Sequence, residues 1–184
     1  MRVIGGRLRG KRLVSPKGLD TRPTTDRVRE SLFNILENKQ SLSGLRVLDL
    51  FAGTGALGIE TLSRGGSFCL FVEEASPARA AIHENVENLQ LTGQTKIFRR
   101  DATRLGAIGT IQPFDMVFAD PPYGRGMGER AAKSLIEGGW LCDNAVLILE
   151  EQISSMPEKL DDFNLLDSRS YGDTAIAMFE LSQQ

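Results

Sequence analysis

Val47-Leu48-Asp49-Leu50-Phe51-Ala52-Gly53-Thr54-Gly55-Ala56-Leu57-Gly58 joins three local signals without a break. Val47, Leu48 and Leu50 form a short apolar run of the kind that lies inside a sheet covered on both faces. Gly53 and Gly55 then make a turn without Cβ atoms, so a ligand can come close to the backbone. Ala56, Leu57, Ile59 and Leu62 recur at helical spacing until Gly65-Gly66 stops the helix. Asp49 falls near the carboxyl end of the strand, the edge where open α/β sheets take their ligands. Gly53, Gly55 and Gly58 also satisfy G-x-G-x-x-G, and Glu73 follows 20 residues after Gly53, at the end of the apolar run Phe68 to Val72. An acid at that distance suits ribose hydroxyls. The pattern specifies an adenosine-containing cofactor on a Rossmann-like sheet without choosing the cofactor. The competing reading is a tight strand-to-helix turn with no ligand.

Working outward, further strands are expected at Lys96 to Arg99, Phe114 to Ala119 and Ala145 to Leu149. A closing antiparallel hairpin is expected from Leu165-Leu166, the turn Tyr171-Gly172-Asp173 and the strand Ala175 to Phe179. Helices are expected after Thr24 or Thr25, which can cap, around Pro77, and after the glycine-rich loop Gly124 to Gly128. In the first of these Val28, Leu32, Ile35 and Leu36 make the apolar stripe, with Arg27, Arg29 and Glu30 off it. His83, the only histidine, falls with Glu84, Asn85 and Glu87 on what reads as a solvated helix face and is assigned no chemistry. The fold class is α/β: a Rossmann-like, mostly parallel seven-stranded sheet with helices on both faces and an antiparallel C-terminal hairpin. Residues 1–20 alternate short β-like pieces with glycines and add a small β-hairpin arm. The expected organisation is one domain over 1–184, with 1–23 as the arm and 24–184 as the core.

At 184 residues the chain has room for one sizeable core and little else. No apolar run approaches membrane-spanning length, and the basic N-terminus has no apolar signal core, so a cytoplasmic location is expected. Cys69 and Cys142, two isolated cysteines, read as reduced thiols. No metal site is read. Net charge is −2 but uneven: residues 1–30 carry nine basic and three acidic side chains, net +6, and the remainder thirteen and twenty-one, net −8. A basic arm on an acidic body suits a nucleic-acid binder that meets phosphate on one face. The plainer alternative is a solvated arm.

A second motif, Asp120-Pro121-Pro122-Tyr123, ends the predicted strand Phe114 to Ala119. Consecutive prolines fix φ and lack N–H donors, so they offer carbonyl oxygens at a set position. Asp120 adds a carboxylate and Tyr123 an aromatic face. Acceptors beside a stacking ring suit a planar group with an exocyclic amine. The lone pair of such an amine is delocalised into its ring. Hydrogen bonds to Asp120 and a proline carbonyl would favour the pyramidal nitrogen that attack requires and stabilise its developing positive charge. Taken alone, the same four residues also read as a strand-ending turn.

Together these residues resemble the class I S-adenosylmethionine-dependent methyltransferases. Asp49 to Gly55 is similar to their cofactor loop, Glu73 to their ribose-binding acid, Asp101 to their adenine-side acid, and Asp120 to Tyr123 to the signature of amino-nitrogen methylation. A closer resemblance spans nearly the whole chain. Met1 to Leu13, Asp20 to Asn34 and Tyr171-Gly172-Asp173-Thr174 resemble the bacterial small-subunit (16S) rRNA guanine-N2 methyltransferase family. The resemblance implies that Asp49, Ala52, Gly53, Thr54 and Gly55 line the methionine side of S-adenosylmethionine, Glu73 the ribose, and Asp101 with Ala102 the adenine. It implies that Asp120, Pro121, Pro122 and Tyr123 handle the target amine. Arg2, Arg7, Arg9, Lys11, Arg12 and Arg22 are candidate RNA contacts. The implied partner is 16S rRNA in a small subunit or an assembly intermediate; a monomer fits the size of the chain and the absence of an obvious apolar seam. The alternatives are an amino-nitrogen methyltransferase acting on DNA adenine or cytosine or on protein glutamine, a nicotinamide-dependent oxidoreductase, and a non-catalytic RNA binder.

Overall fold

The computed structural model describes residues 1–16 and 25–183, so the readings placed on Arg22, Pro23 and Thr24 lie outside the described residues. The chain divides into two compact units, Met1–Arg99 and Arg100–Gln184.

The first unit begins with the basic segment. Arg2 and Arg12 form an antiparallel bridge, flanked by Val3 N–H donating to Lys11 O (2.9 Å) and Leu13 N–H to Met1 O (3.1 Å). Between the two arms lies a single 3-10 turn, Gly6–Leu8. The expected hairpin is therefore present in abbreviated form, and it is docked. Val3, Leu8 and Leu13 are buried. Gly6, at φ +71°, sits so close that a Cβ would lie 2.0 Å from Ser63 O.

Helix α1 (Asp26–Lys39) starts at Thr25, whose hydroxyl accepts from Val28 N–H at 3.3 Å. Leu32, Phe33 and Leu36 are its buried apolar residues. Arg29, expected off the stripe, is instead 1% exposed. Its Nη2 donates to Arg2 O (2.6 Å) and Asp26 Oδ1 (2.8 Å), and burial lowers its pKa against the opposing pull of Asp26 and Glu60. Strands β1 (Arg46–Leu50), β2 (Phe68–Val72) and β3 (Thr95–Phe98) run parallel in the order β3-β2-β1. Helix α2 (Ala56–Ser63) follows β1, and α3 (Ser76–Asn88), with Pro77 in its first turn, follows β2. His83 is exposed as expected, but Asn85, assigned to the same solvated face, is 1% exposed.

The second unit holds β4 (Phe114–Ala119), α4 (Met127–Gly138), β5 (Leu141–Gln152), β6 (Phe163–Tyr171) and β7 (Thr174–Leu181) in the strand order β4-β5-β7-β6. β4 and β5 are parallel; β7 is antiparallel to both β5 and β6. The seven strands make the mostly parallel α/β sheet with an antiparallel C-terminal pair that the sequence pattern implies. β5 extends well beyond the expected Ala145 to Leu149 because Leu141 pairs with Phe114 across a register shift. Trp140 is fully buried between α4 and β5, and its Nε1 donates to Gly106 O at 2.7 Å.

The basic segment hangs on Glu60 in α2. This carboxylate, 1% exposed, accepts from Ile4 N–H (2.8 Å), Gly5 N–H (2.7 Å) and Arg64 Nε (2.9 Å). Glu60→Ala strands two backbone donors and unpairs Arg64, and is expected to cost about 3 kcal/mol in urea unfolding. It should also open the bond after Arg7 or Arg9 to limited trypsin digestion. A variant as stable and as protease-resistant as the native chain would contradict this account.

Candidate functional site

In the first unit, β1 delivers the chain into a turn with three left-handed residues: Phe51 (φ 55°), Gly53 (φ 56°) and Gly55 (φ 75°). The three motif glycines do different things. Around Gly53 a Cβ would meet only Phe51 O, at 3.9 Å, so this point of the turn faces open space. Gly55 lies against the Phe71 ring, 3.0 Å from where its Cβ would be. Gly58 sits flush on β2: a Cβ there would lie 2.4 Å from Cys69 Sγ and 2.6 Å from Phe71 Cε1. Gly58 has the helix-packing role of the fingerprint's third glycine, whereas the first glycine, Gly53, and not the second is the one that faces open space.

Two carboxylates hold the turn. Asp49 is 2% exposed, and its Oδ2 accepts from Gly58 N–H at 3.0 Å, supplying the first turn of α2 with a cap that its N-cap Gly55 lacks. Burial pushes the Asp49 pKa up to about 8; the Gly58 bond pulls it down and Glu73 adds to the rise. Glu73, at the end of β2, accepts from Gly53 N–H with Oε2 (2.9 Å) and from Ala75 N–H with Oε1 (2.8 Å). Asp49, Ala52, Gly53, Thr54, Gly55 and Glu73 are thus brought together. Asn85 joins them: its Nδ2 donates to Thr54 O and to Val14 O, both at 3.0 Å, while its Oδ1 accepts from Val14 N–H at 2.7 Å. The helical pattern around Asn85 gave no sign of this.

In the second unit, Asp101 caps the 3-10 turn Ala102–Arg104, accepting from Thr103 N–H (2.8 Å) and Thr103 Oγ1 (2.7 Å). The Thr103 hydroxyl, with Arg104 and Arg130 further off, holds this carboxyl below the usual range. At the end of β4, Asp120 is half-buried, Pro121 buried, and Pro122 and Tyr123 exposed. Tyr123 OH donates to Glu150 Oε1 at 2.7 Å and lies 3.3 Å from Thr174 Oγ1. Gly124 N–H donates to Glu151 Oε1 at 3.0 Å. Burial, ahead of the neighbouring carboxylates, raises the Tyr123 pKa, so its phenol stays protonated. Glu150 and Glu151 were not singled out from the sequence. The available signal was a pair of acids directly after the apolar run Val146 to Leu149, as Glu73-Glu74 follows Phe68 to Val72. Gly128, read as part of a loop around Met127, is inside the first turn of α4, with Leu149 Cδ1 2.7 Å from a Cβ position.

Arg2, Arg7, Arg9, Lys11 and Arg12 are all exposed. Arg7 Nη2 donates to Gln94 Oε1 (2.8 Å) and Arg2 Nε lies 3.5 Å from Asp26. Arg22 lies outside the described residues. No helix among the described residues is long and apolar enough to cross a membrane.

A parallel sheet with an antiparallel C-terminal pair, a glycine turn after β1 and an Asp-Pro-Pro-Tyr turn after β4 is the α/β fold of methyltransferases. The chain belongs to the family described as conserved hypothetical protein 95, whose model matches residues 1–180. It is 34% identical to ribosomal RNA small subunit methyltransferase D of Escherichia coli, over 100% of this chain and 91% of that protein. It is 36% identical to YlbH of Bacillus subtilis, over 98% of each. Among solved structures, yhhF from Escherichia coli matches with a TM-score of 0.85 and 33% identity, over 100% of this chain and 99% of that one.

The Asp49 shift has a consequence for stability. Its folded pKa, about 8, lies above the ordinary 3.8, so the folded protein holds a proton that the unfolded chain releases. The stability this contributes is complete below about pH 4 and is lost as pH rises to about 8, by at most about 1.4 kcal/mol per pH unit. Asp49→Asn removes this titration. The difference in unfolding free energy between native and variant, followed by urea from pH 5 to 8.5, should shift against the native chain as pH rises. A pH-independent difference would mean that Asp49 is ionised throughout.

Proposed function

We infer that this chain is an S-adenosylmethionine-dependent methyltransferase that methylates the exocyclic N2 amine of a guanine in 16S rRNA. The observation that carries the reading is Asp120-Pro121-Pro122-Tyr123 at the carboxyl end of β4, in a chain of this family. The curated relatives named as ribosomal RNA small subunit methyltransferase D support the substrate class.

The first unit's residues fit the cofactor. Open space at Gly53 leaves the turn approachable, and the Glu73 carboxylate is an acceptor suited to ribose hydroxyls. We assign Asp49, Ala52, Gly53, Thr54 and Gly55 to the methionine end, Glu73 to the ribose, and Asp101 with Ala102 to the adenine. Asp49 acts there by fixing the turn. When bound, S-adenosylmethionine supplies a methyl group on a positively charged sulfur, so an oriented nucleophile suffices. Asp120 and the Pro121 carbonyl accept the amine's N–H bonds and hold its lone pair out of conjugation. They would also stabilise the positive charge that grows on nitrogen as the N–C bond forms and the methyl–sulfur bond breaks, leaving the sulfur as a neutral thioether. The Tyr123 ring stacks on the base and limits its orientation. The methylated nitrogen is acidic and gives its proton to water, so no strong base is required.

A base in folded RNA must leave its stack to be reached in this way. We assign Arg2, Arg7, Arg9, Lys11, Arg12 and Arg22 to phosphate contacts, which dominate RNA affinity. The substrate is the small subunit or an assembly intermediate in the cytoplasm, and the enzyme acts as a monomer and a single domain.

The test is transfer of labelled methyl from S-adenosylmethionine to unmethylated small subunits, naked 16S rRNA and duplex DNA, followed by nucleoside analysis. Label in N2-methylguanosine is expected from the ribosomal substrate, and label in DNA would replace the substrate. Asp120→Ala should lower kcat by at least about a hundredfold, as for loss of a transition-state acceptor. Cofactor affinity by calorimetry should stay within about threefold. Equal collapse of both would overturn the separation of the Asp120 role from cofactor binding.

A further inference from the structure

We propose that Glu150 and Thr174 are positioning residues for methyl transfer, holding the Tyr123 ring in the attitude on which the target base stacks, while Glu151 fixes the loop behind it. The proposal rests on the amine reading of Asp120 to Tyr123.

Tyr123 is anchored at both ends. Its backbone follows two prolines of fixed φ. Its hydroxyl, at the far end of the ring, gives a short charge-assisted bond to Glu150 (2.7 Å) and meets Thr174 Oγ1 at 3.3 Å. The anchors belong to rigid elements. Glu150 pairs with Ile176 and Gln152 with Thr174 in the β5–β7 ladder, so the hydroxyl is tied to two hydrogen-bonded strands. Glu150 is 8% and Glu151 2% exposed, so neither is a mobile surface acid. Successive residues of a strand point to opposite faces. Glu150 therefore takes the ring from one face of β5, and Glu151, bonded to Gly124 N–H at 3.0 Å, takes the backbone from the other.

The anchoring explains two features that stacking alone does not. A phenylalanine offers the same face, yet Tyr123 carries a hydroxyl committed to Glu150. Thr174, which ends the Tyr171 to Thr174 segment, has a hydroxyl within reach of the same oxygen. A ring held this way keeps two side-chain torsions fixed before substrate arrives, and misplacement on the ångström scale is costly in transfer reactions.

The experiment is a double-mutant cycle in the full-length enzyme with unmethylated small subunits as substrate. Tyr123→Phe and Glu150→Ala should each lower kcat by roughly tenfold while the Kd for S-adenosylmethionine moves less than twofold. The double variant should be no slower than either single one. Glu150→Gln, which keeps an acceptor, should recover most of the rate, and Thr174→Val should lose a smaller factor that disappears in the Tyr123→Phe background. If Glu150→Ala fails to fold, Glu150→Gln and Thr174→Val against Tyr123→Phe complete the cycle.

Multiplicative losses in the double variant, or a native rate for Tyr123→Phe, would overturn the proposal. So would a cofactor Kd that rises in proportion as kcat falls. An inactive Asp120→Ala beside a fully active Tyr123→Phe sinks this proposal alone, whereas an active Asp120→Ala sinks the amine reading beneath it.

Discussion

Position 58 has no room for a side chain. A single methyl there would run into Cys69 and Phe71 of β2, and the interior is too densely packed to yield. Glycine lets the start of α2 lie directly on the strand. That contact brings the Gly58 N–H over β1, where Asp49 accepts it, and sets the direction in which the preceding turn leaves the strand. The left-handed residues Phe51, Gly53 and Gly55 follow from the same demand, since the chain must reverse within five residues of Leu50. Glu73 then ties the turn to the end of the neighbouring strand. Without the close approach at Gly58, Asp49 would lose its backbone partner.

Buried or half-buried carboxylates hold several of this fold's connecting segments. Asp49 and Glu73 hold the turn after β1, Glu60 holds the N-terminal segment, and Glu150 with Glu151 hold the turn after β4. Most of these accept from backbone N–H groups, not from lysine or arginine. A carboxylate satisfied by amides orders a loop without adding a second flexible, charged side chain. Such a loop keeps its shape in the absence of ligand, which favours preorganisation over induced closure.

What was legible in the sequence follows from the range of the interactions involved. β2 and β4 stand where the apolar runs put them, because β2 is bounded by Gly66 and Glu73 and β4 by Pro113 and Asp120. The two motifs were equally plain, being contiguous. Arg29 was misread because its burial is decided by Arg2 O, 27 residues away, and a helical wheel carries no record of that partner. Asn85 was misread for the same reason, its partners being Val14 and Thr54. β5 was cut short because Cys142, Asp143 and Asn144 are not an apolar run; they are in the strand through Leu141 pairing with Phe114.

The two acid pairs show how narrow the difference is between a residue read and a residue missed. Glu73-Glu74 and Glu150-Glu151 both directly follow an apolar run, the first just beyond β2 and the second in the last residues of β5, but only the first lies at a spacing that a known motif scores. The physics is common to both. A strand ends in a buried environment where an unpaired carboxylate is costly. An acid is stable there only if a neighbouring loop supplies donors. At β2 the donors are Gly53 and Ala75, and at β5 they are Tyr123 and Gly124. An acid closing a buried strand therefore predicts a loop held over that strand's end, and in an α/β sheet the carboxyl ends are where ligands bind. That rule requires no motif, and it would have pointed to Glu150 and Glu151 from the chain alone.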